Sequence, residues 1–388
     1  MYIGGKKMES LHVNRVKDEI KNSLVNIKVI GVGGYGGNAV KQMIEEGVQG
    51  VKYVAVNTDG QALSGVEGAT QIQLGDSGFG AGADPKEARK MAEDNKKKLE
   101  EVIEGSDMIF IVAGLGKGTG SGVSPVIASI AKEKGILTVA VITMPKKNDG
   151  EVRNKTAAQA LKELKPHVDT LIIIENDKLE DEAYKKLSFK QRLAKFNGVL
   201  KEAVISIVTI IVYEGYINVD FADITSILRG GGIGYLGVGI ADGEGRAEKA
   251  AKQAISNNLL DTRIRGAERL IIAIFMPEEN ESSEGDKMED CIRNEVGKKS
   301  VNYIHGVFDV LDLNKEKPDA MGVIVIATGL PENPDECENP DECENPDEGK
   351  VSNYEKEVNN LKNVKLKSLP KLAEKNGNSF IPGWMEDK

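Results

Sequence analysis

Residues 27–40 read IKVIGVGGYGGNAV, a short apolar strand that runs into a glycine-rich turn and then into a helical stretch. The same grammar returns at residues 108–122, MIFIVAGLGKGTGSG, and a strand at residues 53–56 leads into the polar NTDG of residues 57–60. Two further apolar runs, 137–142 and 170–174, end in the polar loops MPKKNDG (144–150) and ENDK (175–178). This alternation predicts an α/β protein with a Rossmann-like doubly wound parallel sheet and helices on both faces. Ligands of such sheets bind where the strands end, so the polar loops should share one rim.

The 388 residues exceed one ordinary core, so two folded domains and tails are expected. With 51 basic against 61 acidic residues the net charge is −10, which disfavours broad contact with a nucleic-acid backbone. No run is apolar enough to span a bilayer and residues 1–26 lack an apolar signal core, so a cytoplasmic protein is expected. Three cysteines, two of them in a repeat, and three histidines point to neither a disulfide framework nor a zinc cage. The chemistry has to come from glycines, carboxylates and a bound nucleotide.

Residues 1–26 read as an N-terminal extension and 27–192 as a nucleotide-binding domain. Leu193, Phe196, Leu200, Val204, Ile207, Val208 and Ile211 recur at helical spacing, predicting a long central helix over 193–217. A smaller α/β domain is expected over 218–330, with strands near 269–275 and 322–327. The composition then changes abruptly. ENPDEC (332–337) is repeated, then repeated again with Gly349 in the last position, giving an acidic hexapeptide linker over 331–349 that cannot pack a core. The tail, 350–388, ends in FIPGWM (380–385).

Gly31, Gly33 and Gly36 satisfy a G-x-G-x-x-G spacing, with Asn57 and Asp59 roughly 20 residues on, which makes a dinucleotide reading legitimate. The second loop, residues 114–122, shifts the balance toward an oligophosphate, because closely spaced backbone N–H groups at a helix start form an anion nest. It is not a P-loop: Lys117 is followed by Gly118 rather than Ser or Thr. A third glycine turn, GFGAGADP (78–85), precedes another helix, with Pro85 suited to its first position and Asp84 to its cap.

Taken in order, residues 31–40, NTDGQAL (57–63), GAGADP (80–85), residues 114–122 and NVDFAD (218–223) resemble the FtsZ branch of the tubulin/FtsZ superfamily, over about residues 25–330. The resemblance implies that GTP or GDP is held by Gly33, Gly34, Tyr35, Gly36, Asn38, Asp59, Gly80, Ala81, Gly82, Gly116, Lys117, Gly118, Thr119 and Gly120, with Mg2+ as companion and no protein metal ligands assigned. Asp149 takes the place of a ribose-side glutamate and Arg153 that of an arginine near the γ-phosphate. Asn218, Asp220 and Asp223 would act in trans, reaching the γ-phosphate held by the neighbouring subunit. For these three the plainer reading is a helix cap ahead of Ile224 and Ile227.

Three positions besides Asp149 depart from the family pattern. Lys117 stands where the phosphate loop usually has glycine, Tyr35 interrupts the first glycine run, and Gly198 stands where the central helix usually carries a base-reading Asp, leaving Asn197, with Asn38 beside it, as the candidate for the guanine edge. The implied activity is a GTPase that polymerises head-to-tail and hydrolyses GTP at the subunit interface, as in cell division or a related cytoskeletal role. A filament protein with little turnover is one alternative, and an NAD-dependent oxidoreductase supported by the first loop alone is another. The partners expected are other copies of the chain and, at residues 380–385, a membrane-tethering or regulatory protein.

Overall fold

The computed structural model describes residues 2–3, 6–7, 25–48, 50–175, 189–256, 263–277, 281–297, 301–309 and 320–331. The linker repeat, the tail peptide and the side chain of Asn197 lie outside these described residues. The first half alternates strand and helix: β1 (Ile27–Val32), α1 (Gly33–Glu45), β2 (Lys52–Asn57), α2 (Gly60–Ser64), β3 (Thr70–Gln73), α3 (Pro85–Asp94), α4 (Lys96–Ile103), β4 (Met108–Gly114), α5 (Gly118–Glu133), β5 (Leu137–Met144), α6 (Glu151–Leu164) and β6 (Thr170–Glu175). A long helix, α7 (Phe189–Val212), leads to α8 (Phe221–Leu228), β7 (Gly232–Ala241), α9 (Arg246–Ile255), β8 (Arg269–Met276), α10 (Ser282–Val296), β9 (Asn302–Asp309) and β10 (Met321–Thr328).

These strands form one sheet in the order β9-β8-β10-β7-β6-β5-β4-β1-β2-β3. From β3 across to β7 every pairing is parallel; β10 alone is reversed, and β9 runs parallel to β8. Strands β4, β5 and β6 are buried along nearly their whole length, as expected for a sheet covered on both faces. The halves meet at β6 and β7, which share a register of three residue pairs from Thr170↔Gly232 to Ile172↔Gly234. The chain turns outward in opposite directions from β1 and β4, so the doubly wound switch point lies between those two neighbours.

Helix α7 buries Leu200, Val204, Ile207 and Val208, four members of the predicted stripe, and packs against α1. On the same helix Lys201 is 4% exposed, and its Nζ donates to both carboxylate oxygens of Glu46 at 2.7 and 2.6 Å, tying α7 to the end of α1. The helix stops at Val212, short of the expected 217. Beyond it the Asn218 side chain accepts from the Gly215 amide at 2.6 Å, and Ile217 pairs with Val307 instead of continuing the turn.

Strand β7, IGYLGVGIA over residues 233–241, carries glycines where α9 lies on the sheet. A Cβ at Gly237 would meet the Ala254 carbonyl oxygen at 1.7 Å, and one at Gly239 the Ala250 oxygen at 1.9 Å. Backbone therefore touches backbone, and α9 also ties to α10 through the Arg246–Glu284 ion pair, 2.5 Å, with both side chains largely buried. Because the helix must lift to admit a methyl group, Gly239→Ala is expected to lower the unfolding free energy by roughly 1–3 kcal/mol. Chemical denaturation checks this, and an unchanged midpoint would contradict the close seat of α9.

Candidate functional site

Both glycine loops sit at the carboxyl ends of β1 and β4, the two strands flanking the switch point. There is no loop between β1 and α1: Val32 closes the strand and Gly33, at φ +70°, opens the helix. A Cβ at Gly31 would lie 2.3 Å from the Gly36 carbonyl oxygen, and one at Gly36 2.1 Å from the Val112 oxygen. Those two glycines therefore serve close packing of β1, α1 and β4. A Cβ on Gly34 would meet nothing within 4 Å, and Gly34 and Asn38, one helical turn apart, share the exposed side of α1.

The start of α5 is built the same way. Gly120 lets the helix press on strand β4, since its Cβ would lie 2.2 Å from the Gly114 oxygen, and Gly116 takes φ +95°. The Gly116 amide is not available to a ligand, because it donates to Ser121 Oγ at 2.9 Å in a buried bond. The amides left are those of the first helical turn, Gly118, Thr119 and Gly120, which by geometry have no partner within the helix. Neither α1 nor α5 has a side-chain cap or an acidic residue in its first turn. Two positive helix ends thus stand open, side by side: a Cβ on Gly33 would be 3.3 Å from the Gly120 nitrogen.

The other predicted loops close around this pair. Thr58 and Thr119 share a hydroxyl hydrogen bond of 2.8 Å, and a Cβ at Gly118 would lie 3.2 Å from the backbone of Ala83 and Asp84. Gly80 stands over Asp59, and its amide donates to the Thr58 carbonyl at 3.0 Å. Gly80 and Gly82 take positive φ, and Ala83, at φ +63°, is the one non-glycine residue with positive φ among the described residues. Such a conformation costs on the order of 1 kcal/mol and clusters where a loop must meet a ligand. Ala81 is buried beneath it. By contrast α2 and α3 are capped in the ordinary way, Asp59 accepting from the Ala62 amide at 3.0 Å and Asp84 from the Lys86 amide at 2.8 Å. Asp59 is therefore a cap on the rim, with Asn57 beneath it accepting from the Asp59 amide at 3.2 Å.

Tyr35 does not stand up into the open space. Its ring lies on Gly114, where a Cβ would meet Cδ2 at 2.8 Å. Lys117 has φ −127°, so the side chain is accommodated without strain, and it is exposed just ahead of α5. Arg153 flanks the loop, its Cγ 2.9 Å from a Cβ at Gly116, and pairs with Asp149 at 2.8 Å. The Arg153 Nε is buried with no hydrogen-bond partner. Asp149 also accepts from the Lys146 amide at 3.3 Å. Asn197 lies on α7, at a point where its side chain is outside the described residues.

The acidic loop is elsewhere. Val212, at the end of α7, packs against Gly50 just before β2, and the Leu228 carbonyl at the end of α8 accepts from Thr170 Oγ1 at the start of β6. The segment between them, with Asn218, Asp220 and Asp223, is thus anchored at the amino-terminal edge of the sheet. Six-residue strands at about 3.3 Å per residue put roughly 20 Å between that edge and the glycine loops. Asp220 caps α8 by accepting from the Asp223 amide at 2.7 Å, and Asp223 accepts from the Asp220 amide at 3.2 Å. This reciprocal box engages one oxygen of each carboxylate. Among the described residues the large exposed apolar side chains fall at the same two places: Phe79 and Val152 beside the glycine rim, Tyr216 and Ile217 beside the acidic loop.

Comparison with known proteins agrees with this geometry. Residues 26–183 match a family model described as the Tubulin/FtsZ family, GTPase domain, and residues 232–331 one described as the FtsZ family, C-terminal domain. An FtsZ dimer from M. jannaschii, solved empty, is 34% identical, with 82% of this chain and 92% of that chain covered and a TM-score of 0.72. CetZ2 from Haloferax volcanii, solved as a GTPγS-bound protofilament, shares the fold at 20% identity, covering 80% of this chain and 95% of that one, with a TM-score of 0.67. CetZ from Methanosaeta thermophila does so at 20% identity over 87% and 92%, with the same TM-score. With its strand-to-helix glycine turns, its one continuous sheet and a 34% identical relative matched over most of both molecules, the chain belongs to the tubulin/FtsZ family.

Proposed function

We propose that the chain binds GTP at the rim between α1 and α5, assembles head-to-tail, and hydrolyses the nucleotide with the acidic loop of the next subunit. The observation that carries this reading is the separation itself. Two uncapped helix ends are suited to a polyphosphate at one edge, and the acidic side chains suited to handling water sit roughly 20 Å away at the other. The site is complete only between two copies. A heterologous contact of this kind, repeated without closing, generates a filament.

In this reading the amides of Gly33, Gly34 and Gly118–Gly120 hold the phosphates, with the residue 80–82 turn over the terminal one and Lys117 and Arg153 adding positive charge. Asn38 and Asn197 are the candidates for the guanine edge, and Asp149 for the ribose. Mg2+, when bound with the nucleotide, would neutralise charge on the phosphates; among the described residues no three His, Cys, Asp or Glu side chains converge to hold a metal ion.

The incoming subunit supplies Asp220 and Asp223 in fixed orientation, since the capping box holds one oxygen of each and leaves the other to meet solvent. A water aligned by these carboxylates attacks the γ-phosphorus. The new bond forms from the water oxygen, the bond from the γ-phosphorus to the bridging oxygen breaks, and its electron pair stays on GDP. The water's proton passes to a carboxylate or to the released phosphate, and Asn218 orders the loop by holding the Gly215 amide. Loss of the γ-phosphate then removes what the interface loops were ordered around, loosening the filament. A cytoskeletal role follows from this behaviour, and no helix among the described residues is long and apolar enough to cross a membrane.

Asp220→Asn keeps the cap and removes the charge, so GTP affinity should stay within about threefold while steady-state turnover falls by roughly a hundredfold or more. Phosphate release and equilibrium binding measured side by side check it; equal loss of both would refute the trans role. A Gly118→Val chain, unable to hold phosphate, mixed with the Asp220→Asn chain should regain turnover that neither shows alone, because each supplies the half the other lacks. Lys117→Gly should weaken GTP binding by about tenfold at low salt and flatten its salt dependence, read by titration across ionic strength.

A further inference from the structure

Beside the acidic loop lies an open groove of about 820 Å³ that the proposed reaction does not use. Phe221 and Thr225 of α8 and Arg229, which caps its end, form one wall, and Arg269 and Asn302, the first residues of β8 and β9, form the other. Its two charged lining residues are arginines, Arg229 and Arg269. Arg229 is exposed, and the segment leading into β8 adds exposed Arg263 and Arg265 with Glu268 as its one carboxylate, while Asp169 accepts from the neighbouring Gly230 amide at 3.2 Å. Arg269 donates to the Arg229 carbonyl at 2.8 Å, and Arg229 reaches the Gly135 carbonyl only at 3.4 Å. Among the described residues none of the four arginines has a carboxylate within ion-pair distance.

The last of the described residues, 329–331, lie at this spot. Because β10 is reversed, its last residue, Thr328, lies opposite Arg269. The Gly329 amide donates to the Gly231 carbonyl at 2.7 Å, and Pro331 is 3.5 Å from where a Cβ of Gly266 would stand. The next residues, 332–349, carry nine carboxylates and no basic side chain. One hexapeptide extended at about 3.3 Å per residue covers roughly 20 Å, more than the roughly 12 Å length of eight-residue α8.

We propose that the acidic hexapeptide repeat lies back in this arginine groove of its own molecule, held by charge, and screens the end of the molecule that carries Asp220 and Asp223. Tethering beginning at residue 332 sets an effective concentration in the millimolar range, so individually weak charge contacts suffice to fill the groove, and they weaken as salt rises. The docking stands independently of the nucleotide chemistry. Its consequence, that a docked repeat hinders the arrival of a second subunit, rests on the head-to-tail reading above.

The test uses the full chain, without nucleotide and dilute, with spin labels on Cys337 and on Ala222→Cys after Cys291 and Cys343 are replaced by serine. At low salt a distance distribution centred within roughly 20–25 Å is expected. It should broaden outward at high salt, in Arg229→Ser, and when the nine carboxylates are replaced by their amides. One broad distribution under all four conditions overturns the docking, and so does one that narrows only as protein concentration rises, which would place the repeat on a neighbouring copy. With GTP, the amide-substituted tail should lower the critical concentration for light scattering several-fold at low salt, with no further effect in the Arg229→Ser background. An unchanged critical concentration overturns the screening. If the chain neither assembles nor turns over GTP, the label distances still decide the docking while the catalytic reading fails separately.

Discussion

Everything at the functional rim depends on backbone lying directly on backbone at the switch point. Gly31, Gly36 and Val112 meet within distances that leave no room for a Cβ, as do Gly114 and Gly120. This contact draws the first turns of α1 and α5 together, so that their unpaired amides face one small volume. A methyl group at either place would spread the helices and divide the nest. The strained turn at residues 80–84 and the Thr58–Thr119 hydrogen bond then close the rim from the β2 side. Close packing and ligand chemistry are here the same requirement, which is why so many glycines crowd into two short segments.

A second constraint is the path of α7. It packs against α1 and carries the chain to the opposite edge, where α8 is pinned by Thr170. The Lys201–Glu46 pair fixes this path at a buried point between α7 and α1. Breaking such a pair leaves a charge stranded in the interior, which is costly, so the two helices behave as one body.

The glycine rim was legible in the sequence because only glycine tolerates the positive φ and the near contacts required there, and because strands that run straight into such turns announce a parallel sheet. The capping role of Asp220 and Asp223 was legible as well, although the structure makes Asp220 the cap and Asp223 its reciprocal partner. Other features depend on neighbours distant in sequence. Strand β7 is interrupted by glycines, and the close seat of α9 on Gly237 and Gly239 explains them only once the fold is known. Edge strand β9, NYIHGVFD, and short β3, TQIQ, lack an apolar run long enough to stand out. That Tyr35 lies on Gly114 and that the Gly116 amide is taken by Ser121 are tertiary facts which spacing cannot encode.

The reversal of β10 has a practical side. Strand β1 begins, and the chain beyond Pro331 departs, along the amino-terminal edge of the sheet that also carries α8. A fluorescent protein fused ahead of residue 27 or behind residue 331 would hang near the edge that the proposed head-to-tail contact uses, and a fusion that blocks that contact would say little about the unlabelled molecule. A small dye at Ala158, exposed midway along α6, keeps both edges clear and is the better reporter for microscopy.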